Sequence, residues 1–270
     1  MVKCHKGFTL IEVSLFLALS GVLTIGIIIG TNISVARQRY NDSVNTVVEF
    51  FRSAYSDVQN VSINGTDRGR SDKAVYGKLI TVGECFTQET PTNFKREVNP
   101  NKVCTYDIIG DAITSNTTLS SSAVLAQLNE VGAKIISSTG STPPQYNFNS
   151  ATEVSFPWDT KLEKGSGDDF RGFIFVVRSP STGYIYTFVK SADGFSNCES
   201  TCNGSDFENN VFGSLLAQAA TGNLVFCVDS PDNNWQNRRG IRINENAFNA
   251  SGVELLAQDD TADCNGYAGN

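Results

Sequence analysis

Glu12 is the side chain whose position points most directly to chemistry. It is the only ionisable residue in the run 8–30, FTLIEVSLFLALSGVLTIGIIIG, which is otherwise largely apolar. As a helix, this run spans about 35 Å, enough to cross the hydrocarbon core of a bilayer. A carboxylate in such a helix is tolerated mainly where it has a partner. We therefore expect Glu12 to pair with a positive group. The alternative is a glutamate at the membrane edge, near the positive end of the helix dipole.

Imidazole groups are missing from nearly the whole chain. The one histidine is His5, so the body of the protein has no residue for a Ser-His triad, a histidine general base or a histidine-ligated metal. The sequence also lacks the G-x-S-x-G nucleophile motif. We predict that the protein is not an enzyme and holds no metal or cofactor. A membrane-anchored extracellular hydrolase is the alternative that this composition disfavours.

The cysteines divide into Cys4, near the N-terminus, and six others in the body of the chain. An even number of cysteines in a translocated domain indicates a disulfide framework. Their spacing lacks the paired C-x-x-C knuckles of a thiolate zinc site. Neighbours in the sequence are candidates for local bridges, but the pairing stays open. The six candidates are Cys85, Cys104, Cys198, Cys202, Cys227 and Cys264.

Basic residues precede the apolar run. Lys3, His5 and Lys6 lie in the short segment MVKCHKG, and basic flanks tend to stay in the cytoplasm. Arg37 and Arg39 on the other side weaken this charge argument, whereas a disulfide framework favours a body outside the cytoplasm. The run is longer than the apolar core of a secretory signal. We expect a precursor in the cytoplasmic membrane with its N-terminus inside and its body outside.

Residues 6–12, KGFTLIE, resemble the processing site of type IV prepilins and pseudopilins. The pattern is specific because a basic leader, a glycine, a phenylalanine and a carboxylate near the start of the apolar run must coincide. The matching motif covers about the first thirty residues of the chain.

The resemblance implies how the N-terminus is processed and used. It implies that a prepilin peptidase cleaves after Gly7, which removes residues 1–7 as a leader. It further implies N-methylation of the new amino terminus at Phe8. In that family Glu12 would pair with the amine of an adjacent subunit, which sets the register of assembly.

The helical period continues beyond the apolar run. Apolar residues recur at i, i+3, i+4 and i+7, and charged or polar residues occupy the other faces. We expect a single helix in which residues 8–30 form the membrane half and residues 31–65 the amphipathic half. Asn64 and Gly65 supply the stop, since both tolerate left-handed backbone. The apolar positions are Tyr40, Val44, Val47, Val48, Phe51, Tyr55 and Val58.

Residues 66–270 form the predicted head, in which short apolar runs alternate with loops. Most runs are rich in β-branched and aromatic residues and indicate strands. The pair 172–178 and 183–190 is the clearest hairpin, and its apolar residues on both faces indicate a covered sheet. The predicted strands are 77–83, 102–109, 172–178, 183–190, 223–229 and 239–244.

Two short helices are predicted in the head, at 119–131 and 210–220, and the polar stretches 110–122, 137–150 and 161–171 are predicted loops. A long helix followed by an antiparallel sheet gives the α+β class. The resemblance makes this architecture pilin-like, with the membrane-spanning helix packed on a β-sheet head.

Two acidic segments are weak candidates for a calcium site. Asp229 and Asp232, and further along Asp259 and Asp260, offer the oxygen ligands that calcium prefers. Neither segment has an EF-hand pattern, and solvated acidic turns are the favoured interpretation.

Three arginines near the C-terminus are a weak candidate for phosphate or DNA contact. Arg238, Arg239 and Arg242 lie close together in the sequence. The net charge of -7 and the pI near 4.8 argue against a broad grip on nucleic acid. The plainer interpretation puts these arginines on a solvent-facing strand whose Ile241 and Ile243 point into the core.

The sequence and the resemblance together predict a structural subunit, major or minor, of a type IV pilus or a related secretion or competence pseudopilus. Its partners would be other copies or other pilins in a filament, the prepilin peptidase and methyltransferase, the inner-membrane assembly platform, and the membrane before assembly. The final location would be an extracellular pilus or the cell surface. The alternative is a low-abundance tip or priming subunit whose head binds DNA or a surface.

Overall fold

The computed structural model describes residues 9–59, 73–90, 93–113, Leu119, 123–135, 152–155, 161–163, 171–191, 201–203, 224–229, 239–244 and 247–256. The predicted cleavage site at Gly7 and Phe8, the helix stop at Asn64 and Gly65, and the helix at 210–220 lie outside these residues.

The first helix, α1, spans Leu10–Gln59. The chain divides into two compact units, and the first ends at Asp42 and the second begins at Ser43, both within this helix. In the second unit, the side chains at the predicted helical spacing are at most 3% exposed. Tyr40, the first residue of the predicted pattern, lies in the first unit and is half-buried. The buried positions are Val44, Val47, Val48, Phe51, Tyr55 and Val58.

The strands of the described head form two antiparallel sheets. In the first sheet the order is β3-β2-β1-β6-β7, and β4 and β8 also pair with β2. In the second the order is β11-β10-β9-β5. The strands are β1 Lys73–Thr90, β2 Asn93–Asp111, β3 Lys134–Ile135, β4 Thr152–Ser155, β5 Lys161–Glu163, β6 Gly172–Arg178, β7 Ile185–Ser191, β8 Thr201–Asn203, β9 Leu224–Asp229, β10 Arg239–Ile243 and β11 Val253–Leu255. A long helix and antiparallel sheets confirm the α+β class.

Strand β6 is covered on both faces, as its apolar sequence predicts. Phe175 lies opposite Phe188 of β7, and both belong to the core cluster that contains Leu128 of the second helix, α2 (Val124–Glu130). On the other face, Val176 lies opposite Thr187, whose hydroxyl bonds to Tyr55 of α1. Successive residues of a strand point to opposite faces. The first sheet therefore packs against α2 on one face and the second half of α1 on the other.

The predicted hairpin of β6 and β7 is present. Its turn closes through hydrogen bonds from Ser179 N to Tyr184 O, 2.8 Å, and from Gly183 N to Ser179 O, 2.9 Å. Gly183 has a φ of 73°, which glycine adopts without a steric cost. β7 begins at Ile185, after this left-handed residue, and not at Gly183 as the sequence suggested.

β1 and β2 are far longer than their apolar runs predicted. Their pairing shifts register at three places, and the largest shift lies beside Gly83, where Val82 faces Val103 but Glu84 faces Val98. Gly83 has a φ of 75°. Beyond this bulge the polar stretch of β2 stays in the ladder because β1 supplies its backbone hydrogen bonds.

Two predicted loops were partly wrong. The stretch 161–171 begins with β5, because pairing with β9 places Leu162 in the core at 0% exposure. The stretch 110–122 begins with the last two residues of β2. The predicted helix 119–131 is shorter: α2 starts at Val124 and is followed by Gly132, whose φ is 57°.

Candidate membrane and assembly segment

The N-terminal half of α1 is apolar and exposed. Its most apolar 18-residue window has a mean hydropathy of 2.4 and is 0% buried, and by length and composition α1 can cross a membrane. A helix that is apolar on all sides belongs in a membrane or in a protein core. The large apolar side chains exposed along this segment are Leu10, Ile11, Val13, Leu15, Phe16, Leu17, Leu19, Val22, Leu23, Ile25, Ile27, Ile28 and Ile29.

The hydroxyl groups of this segment bond to the helix that carries them. Ser14 Oγ donates to Ile11 O at 2.9 Å, and Thr24 Oγ1 donates to Ser20 O at 2.8 Å. Ser20 and Thr31 donate to carbonyls in the same way. Such bonds satisfy hydroxyls without a water molecule or a second chain. These residues therefore do not prevent the segment from facing lipid.

Glu12 lies in the first turn of α1, where Thr9 caps the helix. Glu12 Oε2 accepts hydrogen bonds from Thr9 N and Thr9 Oγ1, both at 2.9 Å. In return, Glu12 N donates to Thr9 Oγ1 at 3.3 Å. This reciprocal pattern is a capping box. Sequence reasoning selected Glu12 but missed Thr9, although the T-x-x-E spacing at the start of an apolar run is the signature of such a cap.

The second half of α1 is held on the head by a buried chain of hydroxyls. Thr187 Oγ1 donates to Ala247 O at 3.1 Å, so its single proton is used, and Tyr55 must donate the 2.7 Å bond between Tyr55 and Thr187. Burial raises the pKa of Tyr55 to about 12, and the hydrogen bond with Thr187 counteracts part of this effect. The chain joins α1 to β7 and to the segment before β11.

Two further contacts hold the same part of α1 to the second sheet. The ring of Phe51 lies 5.3 Å from that of Phe226 in β9, between centroids. Arg52 donates to Val253 O of β11 at 3.3 Å. Phe51 is fully buried, so the contact with Phe226 belongs to the core and is the stronger constraint on the helix.

A buried ion pair lies at the bulge of β1 and β2. The Glu84 side chain is fully buried, and its Oε2 accepts a 2.7 Å hydrogen bond from Arg96 Nε. Its other oxygen, Oε1, is buried and has no hydrogen-bond partner among the described residues. Burial raises the pKa of Glu84, and the positive charge of Arg96 opposes that shift. Sequence reasoning missed this pair because nothing local distinguishes Glu84 from a surface carboxylate.

Among the described side chains, one complete disulfide is present, between Cys85 and Cys104, which confirms the prediction that the head contains disulfides. It joins β1 to β2 just beyond Gly83. Cys227 in β9 is also disulfide-bonded, with a partner outside the described side chains. The side chains of Cys198, Cys202 and Cys264 lie outside the described part of the chain.

The described arginines of the C-terminal cluster do not share a face. Arg239 and Arg242 are three residues apart in β10, so they point to opposite sides of the strand. Ile241 and Ile243 are buried at 0% and 1% exposure, as the plainer interpretation expects. Arg238 lies outside the described residues.

The acidic candidates for calcium also fall outside what can be described. The structure does not describe the side chain of Asp229. It describes no part of Asp232, Asp259 and Asp260. Within the described parts of the chain, no group of three or more His, Cys, Asp or Glu residues could hold a metal ion.

Comparison of the chain with protein-family models, with curated proteins and with solved structures finds no match.

Proposed function

We propose that the protein is a structural subunit of a type IV pilus-like filament. The observation that carries this proposal is the composition of α1, which joins an exposed apolar segment to an amphipathic half packed on the sheets of the head. The first half suits lipid before assembly and the helices of other subunits afterwards, because both environments accept a helix that is apolar on all sides.

The proposed precursor lies in the cytoplasmic membrane with its head outside. A peptidase cleaves after Gly7, the new amino terminus at Phe8 is methylated, and an assembly platform moves the subunit into an extracellular filament. Support comes from the KGFTLIE segment at residues 6–12 and from the disulfide-bonded head, since disulfides persist in oxidising compartments.

Glu12 is the proposed register-setting residue of the filament. Its carboxylate is the only ionisable side-chain group in residues 8–30, and it lies in the first turn of α1. Pairing with the terminal ammonium of another copy would satisfy the charge in an apolar surrounding and exclude helix registers in which it stays unpaired. The pair therefore contributes specificity more than stability.

The cleavage step is tested by Gly7→Ala in the producing cell, with intact mass as the readout. We expect the variant to keep residues 1–7, whereas the unchanged protein loses them and gains a methyl group. Gly21→Ala is the matched control, because a Cβ at Gly21 meets nothing within 4 Å. Normal loss of the leader in Gly7→Ala would refute the proposed processing.

The assembly role is tested by Glu12→Ala, with the amount of protein in sheared filaments as the readout. We expect cleavage to continue and filament incorporation to fall strongly. Glu49→Ala is the control, since Glu49 is an exposed carboxylate of the same helix, paired at the surface with Arg52. Filaments of Glu12→Ala that form as abundantly as those of the control would remove the role assigned to Glu12.

A further inference from the structure

The capping box at the start of α1 gives Glu12 a partner inside its own chain. Thr9 supplies two donors, its backbone N–H and its hydroxyl, to the same carboxylate oxygen, Oε2. The hydroxyl donates to Glu12 Oε2 while accepting from Glu12 N, which one hydroxyl can do because it has one proton and two lone pairs.

These bonds persist through the proposed cleavage. The N–H of Thr9 belongs to the peptide bond between Phe8 and Thr9, and cutting after Gly7 leaves that bond intact. The carboxylate is therefore held one peptide unit from the new terminal amine, both in the precursor and in the mature subunit. A charged group in an apolar surrounding requires such donors.

We propose that Thr9 is a positioning residue for Glu12. Its N–H and hydroxyl hold the carboxylate at the N-terminal end of its own helix, so that a single subunit tolerates the charge in the membrane and presents it to the terminal ammonium of a second copy. This inference rests on the proposed function, because it assigns Thr9 a part in the same assembly step.

The first test compares Thr9→Val with Thr9→Ser in the full-length chain. Valine has nearly the shape of threonine but no hydroxyl, whereas serine keeps the hydroxyl. We expect Thr9→Val to lower the amount of protein in sheared filaments by about fivefold, the factor that corresponds to the ~1 kcal/mol typical of losing an N-cap side chain. Thr9→Ser should stay close to the unchanged protein. Normal assembly of Thr9→Val, or equal loss in both variants, would overturn the inference.

A second measurement, hydrogen exchange of the Thr9 amide, tests the hydrogen bond between Thr9 N and Glu12 and does not depend on cleavage or assembly. In the isotopically labelled full-length chain in detergent micelles, we expect the Thr9 amide to exchange its hydrogen about fivefold faster in Glu12→Ala than in the unchanged protein, since the carboxylate acceptor is gone. The same amide in Glu49→Ala serves as the control. Equal exchange in Glu12→Ala and the unchanged protein would refute the capping bond, even if Thr9→Val cannot be cleaved.

The variants also separate this inference from the proposed function. Filaments that form normally with Glu12→Ala would refute the assembly role of the carboxylate itself. A defect in Glu12→Ala together with normal filaments of Thr9→Val would leave that role intact and refute only the part assigned to Thr9.

Discussion

Replacing Tyr55 by phenylalanine should reverse the order of stability between the variant and the unchanged protein as the pH rises. Tyr55 is fully buried on the face of α1 that meets the head, and its hydroxyl donates to Thr187. Tyr55→Phe keeps the ring in the core and removes only the hydroxyl. Near neutral pH we expect the variant to be less stable by about 1 kcal/mol, the net contribution of one hydrogen bond.

Alkaline pH acts in the opposite direction. Burial raises the pKa of Tyr55 in the folded protein to about 12, compared with about 10 when it is exposed to water. Because the folded pKa is the higher one, the associated stability is complete below pH 10 and is lost as the pH rises towards 12. The full loss is about 3 kcal/mol, of which about half is lost by pH 11. Tyr55→Phe has no proton to lose at this position.

The free energy of unfolding of the two proteins should therefore become equal slightly below pH 11. The measurement is urea unfolding followed by circular dichroism between pH 8 and pH 11, on the fragment 43–270, which corresponds to the second compact unit. Tyr184→Phe is the matched control, since Tyr184 is 69% exposed.

Two results would refute this reasoning. A difference between Tyr55→Phe and the unchanged fragment that stays constant from pH 8 to pH 11 would show that the hydroxyl is not buried as described. The same reversal in Tyr184→Phe would show that the pH effect does not depend on burial.

Three further predictions concern the head and use the same unfolding measurement. Phe51→Ala should lower the free energy of unfolding by about 3 to 5 kcal/mol, because a fully buried ring is lost and a cavity remains; a loss below 1 kcal/mol would contradict the packing of α1 on the second sheet. The double change of Cys85 and Cys104 to serine should cost about 3 kcal/mol, since the bridge closes a loop with a sequence separation of 19; an unchanged urea midpoint would argue against the bridge. Arg96→Met should lower the free energy of unfolding by about 3 to 5 kcal/mol near neutral pH, because the buried Glu84 carboxylate loses its ion-pair partner. The loss should be smaller in acid, where Glu84 takes up a proton, and a loss that does not depend on pH would exclude this cause.

The buried ion pair and the disulfide lie together at the bulge of β1 and β2. Glu84 and Cys85 follow Gly83 directly. Next to them, the Tyr106 hydroxyl accepts a hydrogen bond from Phe86 N at 2.7 Å. The polar outer part of the hairpin has few apolar side chains to keep it in register. The disulfide and the ion pair at the base of this part fix its register instead.

The local sequence pattern was sufficient to predict some helices and strands of the head and insufficient to predict others. The spacing of the apolar residues from Val44 to Val58 predicted the buried face of α1. Residues at the helical period lie on one face of a helix, and an apolar face packs on the core. The run 172–178 predicted β6 to the residue, since a continuous apolar strand must be covered on both faces. Leu162, by contrast, lies among charged residues and became part of the core only through its pairing with β9.

The sequence by itself determined the apolar segment with its single carboxylate, the amphipathic continuation of α1 and the α+β class, because each depends on periodicity and composition within one stretch of chain. Only the tertiary structure decided which cysteine Cys85 joins, how far β1 and β2 extend, and which groups Tyr55 meets. These outcomes depend on residues brought together from distant positions: Tyr55 and Thr187 are 132 residues apart. A local pattern carries no information about such pairs, since their energy exists only after the chain has closed the loop between them.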